Sequence, residues 1–332
     1  MLADNVKKEL GVIISRIVFK CGYQEFLGNT NKKAIVVEGY TDEKLISRIK
    51  KRDVLSIQIK EICTNRSIFL GKEKGKNAIV YLFQVLPNDP DIEIAPGCGK
   101  WSLYGLVDRD YDDEMLNLRL PRLFITDTHD IETLIFSTDN QVTNRLSKAS
   151  ISPETMKKAL FLSYQLLCYR QVLRRLPDKN HEIDIKALAS QDTTIDFSAF
   201  VDGNNIVPDK LLKTIFSNQN KNLSNEKKKK LVDNILKDKQ MKKHFDNKGE
   251  WKYQMETFSP EQVNSYWLIV RGHDIVSAIC SYDTNARNVY FRNDSHTLNR
   301  EFEKDLIDAY DIGMFKKTEL YRQMKAADLV VD

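Results

Sequence analysis

A chain of 332 residues with 42% hydrophobic and 30% charged side chains is long enough for two domains and has the balance of a soluble globular protein. Its longest apolar runs are a handful of residues, which argues against a membrane span, and its first twenty residues lack the layout of a secretory signal, so a cytoplasmic protein with no membrane role is expected. Five scattered cysteines without a CxxC pair argue against a zinc site or a disulfide framework, and the net charge is only +4.

Apolar positions at helical spacing from about Val6 to Lys20 (Leu10, Ile13, Ile14, Ile17, Val18) predict a first helix. AIVVEG, from Ala34, predicts a short buried strand, and DEKLISRIKKR predicts a helix opened by Asp42 as its N-cap. LSIQIKEIC alternates as a strand does, and GKNAIVYLFQVL has a helical pattern. YGLVDRD and RLFITD predict two further strands, and IETLIFS opens another helix. This alternation of short apolar strands with helices predicts an α/β fold, a mostly parallel sheet with helices on both faces.

Beyond about Ser137 the strand signals fade. A long helix is expected after Ser152, followed by a polar, turn-rich stretch from Ile183 to Asp209. The segment from Asn220 to Lys252 holds 11 lysines against 5 acidic residues, which suits either a polyanionic partner or a solvated helix face. SPEQVNSYWLIVRGHDIVSAICSY predicts one buried helix with Ser259 as N-cap and Pro260 at its first position, and the chain closes on a further helical stretch. The expected organisation is an N-terminal helix in 1–30, an α/β domain in 31–137 and a helical region over 138–332 that includes the lysine-rich segment 220–252.

Functional side chains of a parallel sheet collect at its carboxyl edge, where the loops open into a crevice. Glu38 follows AIVV, Asp108 and Asp110 follow YGLV, and Asp127 follows RLFIT, so three strands end on carboxylates. Strand periodicity puts Asp108 and Asp110 on one side and Arg109 on the other. Clustered carboxylates repel one another, and a hard divalent cation such as magnesium resolves the conflict while engaging a phosphate. No GxxxxGK[ST] loop is present, so ATP hydrolysis by a P-loop is not expected.

VVEGYTD followed by GLVDRDYD resembles the TOPRIM domain, with its glutamate after one strand and its DxD after a later one. LFITDTHDIETLIF, RGHDIV and FKKTELYRQM narrow the likeness to AriB-type TOPRIM proteins, relatives of the OLD nucleases that act as effectors in PARIS anti-phage systems. The resemblance spans about residues 33 to 325. It implies a TOPRIM, Rossmann-like sheet with a helical C-terminal region and magnesium-dependent cleavage of nucleic acid, with manganese as a substitute ion. Glu38, Asp108 and Asp110 match the catalytic, metal-holding carboxylates. The likeness further implies a toxic effector acting on RNA such as tRNA, or on DNA, held inactive by an AriA-like ABC-type ATPase and active as a homodimer.

Several residues stand as secondary candidates. Glu132 would complete a second metal site, with Asp127, His129 and Asp130 close to the same sheet edge; equally, Asp130 would simply cap the helix that begins at Ile131. Asp42 and Asp112 extend the acidic set, and His129 is either a ligand or a satisfied polar histidine. His273 faces the crevice or fills a structural hydrogen-bonding role. Lys316 and Lys317 neutralise a phosphate or are ordinary exposed lysines. Lys227, Lys228, Lys229, Lys230, Lys242 and Lys243 would grip a nucleic-acid backbone without reading its sequence. An OLD-like DNase, a primase- or topoisomerase-type enzyme and a non-catalytic TOPRIM binding module are the competing readings.

Overall fold

The computed structural model describes residues 2–20, 32–63, 75–86, 91–93, 100–109, 120–175, 196–217, 224–245, 247, 250–290 and 298–332. The chain divides into two compact units: Met1–Asp139 together with Tyr310–Asp332, and Asn140–Ala309. Residues 310–332, read in the sequence with the helical region, thus lie in the first unit.

The first unit is α/β. It contains α1 (Leu2–Lys20), β1 (Lys32–Val37), α2 (Tyr40–Ile49), β2 (Val54–Gln58), α3 (Gly75–Val85), β3 (Asp91–Glu93), β4 (Lys100–Val107), β5 (Leu123–Ile125) and α4 (Ile131–Thr138). The strands form one mostly parallel sheet in which β1 lies between β2 and β4. The far side of β4 is shared: β3 pairs antiparallel with its first residues, and β5 pairs parallel with its last. Both faces of β1 are buried, since Ala34 and Val36 join the core cluster with α1 and α3 while Ile35 and Val37 are fully buried on the opposite side. Each of the three larger side chains, Val36, Ile35 and Val37, contributes roughly 1.5–3 kcal/mol on removal from water.

The sheet needs a glycine at one crossing. A β-carbon on Gly105 would lie 2.7 Å from both Leu123 Cδ1 and Phe83 Cε2. Gly105→Ala is therefore expected to cost about 1–3 kcal/mol through overpacking, measurable by denaturant unfolding. An unchanged midpoint would show that α3 and β5 can move apart.

Three local expectations need correction here. LSIQIKEIC is a strand only to Gln58, and Ile59–Ile62 forms a helical turn that buries Ile59 and Ile62. Asp42 is not the N-cap of α2: Gly39 holds that position, and Asp42, in the first turn, accepts the Gly39 N–H at 2.9 Å. The closing helical stretch is divided into Leu298–Ala309, Ile312–Phe315 and Glu319–Ala326, with Asp311 and Thr318 capping the last two. After the C-terminal helix, backbone hydrogen bonds from Lys51 N to Leu329 O and from Val331 N to Ile49 O, both 2.9 Å, tie the chain end beside β2.

The second unit is helical, with one small hairpin. It contains α5 (Pro153–Arg175), the strands β6 (Val201–Asp202) and β7 (Asn205–Ile206), α6 (Pro208–Ser217), α7 (Asn225–Lys237), α8 (Gly272–Tyr282), α9 (Thr284–Tyr290) and α10 (Leu298–Ala309). Its centre is the packing of α5 on α8, with Leu162, Leu166, Ile275 and Ile279 all fully buried. The single helix expected from Ser259 is broken. Ser259 caps a short 3-10 turn, Pro260–Gln262, and Ser265 adopts a left-handed φ of 70° before Tyr266–Ile269 and α8 follow.

Among the described residues no helix is long and apolar enough to cross a membrane. Cys63, Cys168 and Cys280 form no disulfide, while Cys21 and Cys98 lie outside the described residues.

Candidate metal centre

Strand register brings the first two carboxylates together. Val36 of β1 lies opposite Gly105 of β4, so Glu38, just past β1, stands beside the end of β4. Its Oε1 accepts the backbone N–H of Asp108 at 2.9 Å. β5 closes the same edge, with Ile125 opposite Val107 and the Thr126 hydroxyl accepting the Arg109 N–H at 2.9 Å.

Asp108 is half-buried as a residue, but its Oδ1 is shut off from solvent and has no hydrogen-bond partner among the described residues. Burial first, and then the negative charges of Asp42, Glu38, Asp130 and Glu132, hold its carboxyl well above the usual carboxylate range. The fold thus gathers acidic groups from the ends of β1 and β4 and from the starts of α2 and α4. Asp130 and Glu132 are buried, and all five carboxylates belong to the first unit.

These acids differ in what already engages them. Asp130 is the N-cap of α4: its Oδ1 accepts from Thr133 N at 2.8 Å, and its Oδ2 lies 3.1 Å from His129 Nδ1. This is the capping role left open by the sequence, and it places the buried His129 against a carboxylate. Asp127 has a structural employment. Its two oxygens accept from the backbone N–H groups of Glu319 and Leu320, at 2.7 and 2.9 Å, so it fastens the start of the C-terminal helix. Asp110 and Asp112 lie outside the described residues.

Sequence reasoning missed two neighbours. Gly75 opens α3 at φ +55°, a conformation that favours glycine, and a β-carbon there would be 3.9 Å from Glu38 Oε2. The positive end of α3 consequently stands beside the Glu38 carboxylate. Lys76, next in the chain, donates from Nζ to the Arg109 carbonyl at 3.2 Å and so brings a full positive charge to the DxD segment. Both lie in GKEKGKNA, whose spacing speaks only to the absence of a P-loop and carries no mark of this site.

Lys316 and Lys317 are exposed, and Lys317 Nζ lies 3.3 Å from Met314 Sδ. Lys229, Lys230, Lys242 and Lys243 are exposed in the second unit, whereas the side chains of Lys227 and Lys228 lie outside the described residues. His273, also in the second unit, is partly exposed, with Nδ1 2.9 Å from Glu303 Oε1.

The acids around Asp108 are oxygen donors of the kind that a hard divalent cation takes, and one oxygen, Asp108 Oδ1, is buried without a hydrogen-bond partner among the described residues. No protein-family model matches this chain, and no curated protein matches it.

Proposed function

We propose that the chain is a magnesium-dependent endonuclease of the TOPRIM type, an effector of anti-phage defence akin to the AriB proteins. The observation that supports this reading best is the hydrogen bond from the Asp108 backbone N–H to Glu38 Oε1, 2.9 Å, at the ends of neighbouring parallel strands, with Asp108 Oδ1 buried and without a hydrogen-bond partner among the described residues. In this reading Glu38 and Asp108, with Asp110 beyond them, would hold the ion. When bound, magnesium supplies positive charge against a phosphodiester and lowers the cost of attack by water.

The protein's own groups have separate tasks. Glu38, held by its hydrogen bond from Asp108 N, would ligate the ion or assist proton transfer. Lys76 and the N-terminal end of α3 offer positive charge to a phosphate that approaches the acids. Asp130 and Asp127 hold the starts of two helices and thereby the shape of the edge. Lys229, Lys230, Lys242 and Lys243 would contribute salt-sensitive contacts to a nucleic-acid backbone. RNA such as tRNA is the favoured substrate, DNA the alternative, and restraint by a partner ATPase and activity as a homodimer belong to the same proposal.

The test is direct. Purified protein is incubated with tRNA and with plasmid DNA across a magnesium titration, beside Glu38→Gln. Cleavage that needs magnesium, stops with chelator and falls about 10²-fold or more in Glu38→Gln is the expected result. Cleavage by Glu38→Gln at the wild-type rate would defeat the assignment, and metal binding without any cutting would leave a binding module.

A further inference from the structure

Arg109 stands between Asp108 and Asp110 in the chain and is gripped at its N–H, its carbonyl and its side chain. The N–H donates to the Thr126 hydroxyl at 2.9 Å, the carbonyl accepts from Lys76 Nζ at 3.2 Å, and Nη1 donates to the Asp127 carbonyl at 3.3 Å. Thr126 is itself fixed: it is buried, its N–H donates to the Val107 carbonyl at 3.1 Å, and its hydroxyl donates to the Thr128 carbonyl at 2.8 Å. Although carboxylates collect at this edge, among the described residues the Arg109 guanidinium is joined to none of them and spends its bond on a neutral carbonyl.

Asp127 works in two directions. Its carbonyl holds Arg109, while its carboxylate accepts from Glu319 N and Leu320 N. The next amide, Tyr321 N, donates to the Thr318 hydroxyl at 3.1 Å. The first three N–H groups of the C-terminal helix, Glu319–Ala326, are therefore taken, two of them by Asp127. A carboxylate at the positive end of a helix adds charge–dipole attraction to those bonds. Leu320 and Met324 are fully buried, so the helix is packed as well as capped. An unbroken series of hydrogen bonds thus runs from this helix through Asp127 and Arg109 to the acids, all within the first unit.

Mutually repelling carboxylates hold an ion well only when their backbone is fixed before the ion arrives, and the groups that support metal ligands commonly change affinity by about 10–100-fold. We infer that Arg109 is a positioning residue: with Asp127 it ties the DxD segment to the C-terminal helix, so that the seating of this helix sets how firmly the acidic edge holds its ion. The inference rests on the metal reading proposed above and adds regulation to it, because whatever lifts Glu319–Ala326 away loosens the acids.

Amide hydrogen exchange of the full chain tests the tie, in chelator and in saturating manganese, for wild type and for Arg109→Met, which keeps an unbranched stem and removes the donors. In chelator, Arg109→Met should speed exchange at Glu319 and Leu320 about fivefold, the equivalent of one hydrogen bond. The Val331 amide, bonded to the Ile49 carbonyl in the same C-terminal segment, should be unchanged. In wild type, manganese should slow exchange at Glu319 and Leu320, as reciprocity requires. Calorimetric manganese titration adds a test of sign. Removing a cation beside the acids would tighten binding by charge alone, whereas lost positioning weakens it by about tenfold or more. Unchanged exchange at Glu319 and Leu320, equal acceleration at Val331, or unchanged or tighter manganese binding by Arg109→Met would each overturn the inference. Failure of manganese to bind wild type would remove the metal reading and its consequence for the ion, while exchange in chelator alone decides whether the tie exists.

Discussion

Asp108→Asn is expected to raise the melting temperature of the metal-free protein while abolishing magnesium-dependent cleavage. The reason is the buried Oδ1, which has no hydrogen-bond donor among the described residues and lies among the charges of Glu38, Asp42, Asp130 and Glu132. Asparagine removes the charge and supplies N–H donors to the neighbouring carboxylates. Relief of one uncompensated buried polar group is worth about 1–3 kcal/mol, or roughly 2–4 °C per kcal/mol in a unit of this size.

The pH dependence gives the sign. The folded-state pKa of Asp108 stands above its unfolded value of about 3.9, so the native state binds the additional proton. The contribution of this group to stability is full below the unfolded value and is lost as pH rises through the folded one. In chelator, wild type and Asp108→Asn should melt together near pH 4 and separate progressively above it. Magnesium should then stabilise the wild type and leave the variant unchanged. Coincident melting curves across the whole pH range would mean that Oδ1 is compensated, and the metal assignment would fall with it.

The second large effect is in the helical unit. Arg170 of α5 and Asp274 of α8 form an ion pair at 2.9 Å with side chains only 3% and 6% exposed. Asp274→Ala removes a buried carboxylate from this guanidinium and should cost about 3–5 kcal/mol, read as the loss of denaturant midpoint in the transition of that unit. The pair is less valuable than its breakage suggests, because ion burial offsets much of the attraction. Arg170→Met combined with Asp274→Leu should therefore recover most of the loss. If Asp274→Ala alone costs under about 1 kcal/mol, water reaches the pair and the centre of the unit is wetter than its burial indicates.

Much of the first unit was legible because the physics there is local. Short apolar strands separated by helices with caps and polar loops read directly as β1, β4, β5 and their helices, and the carboxyl-edge rule led to Glu38 and Asp108. The misses have identifiable causes. Gln58 ends β2 because the chain turns at once into a helical turn whose apolar residues continue the strand pattern. The β3 strand is three residues long and gains its identity from pairing with β4, which no local signal conveys. Ser265 breaks an apolar stretch that looks helical throughout.

At the site, residue type marked the acids but not their employment. Asp127 and Asp130 are similar carboxylates in similar loops, and only the packing of a helix nearly two hundred residues away distinguishes the first as a fastening for Glu319 and Leu320. Lys76 was hidden for the complementary reason. Its partner is a backbone carbonyl, and a carbonyl leaves no mark in the sequence.

The first unit is interrupted after Asp139 and resumes at Tyr310. There the Asp311 N–H reaches Asp139 Oδ2 at 3.1 Å, and the hydroxyls of Thr138 and Tyr310 meet at 2.7 Å. The exit and re-entry points of the polypeptide are thus stitched together within the sheet-bearing unit itself. A helical module spliced between two such adjoining points can be enlarged, trimmed or exchanged over evolutionary time without changing strand register, so its surface is free to follow new partners while the acidic edge stays as it is.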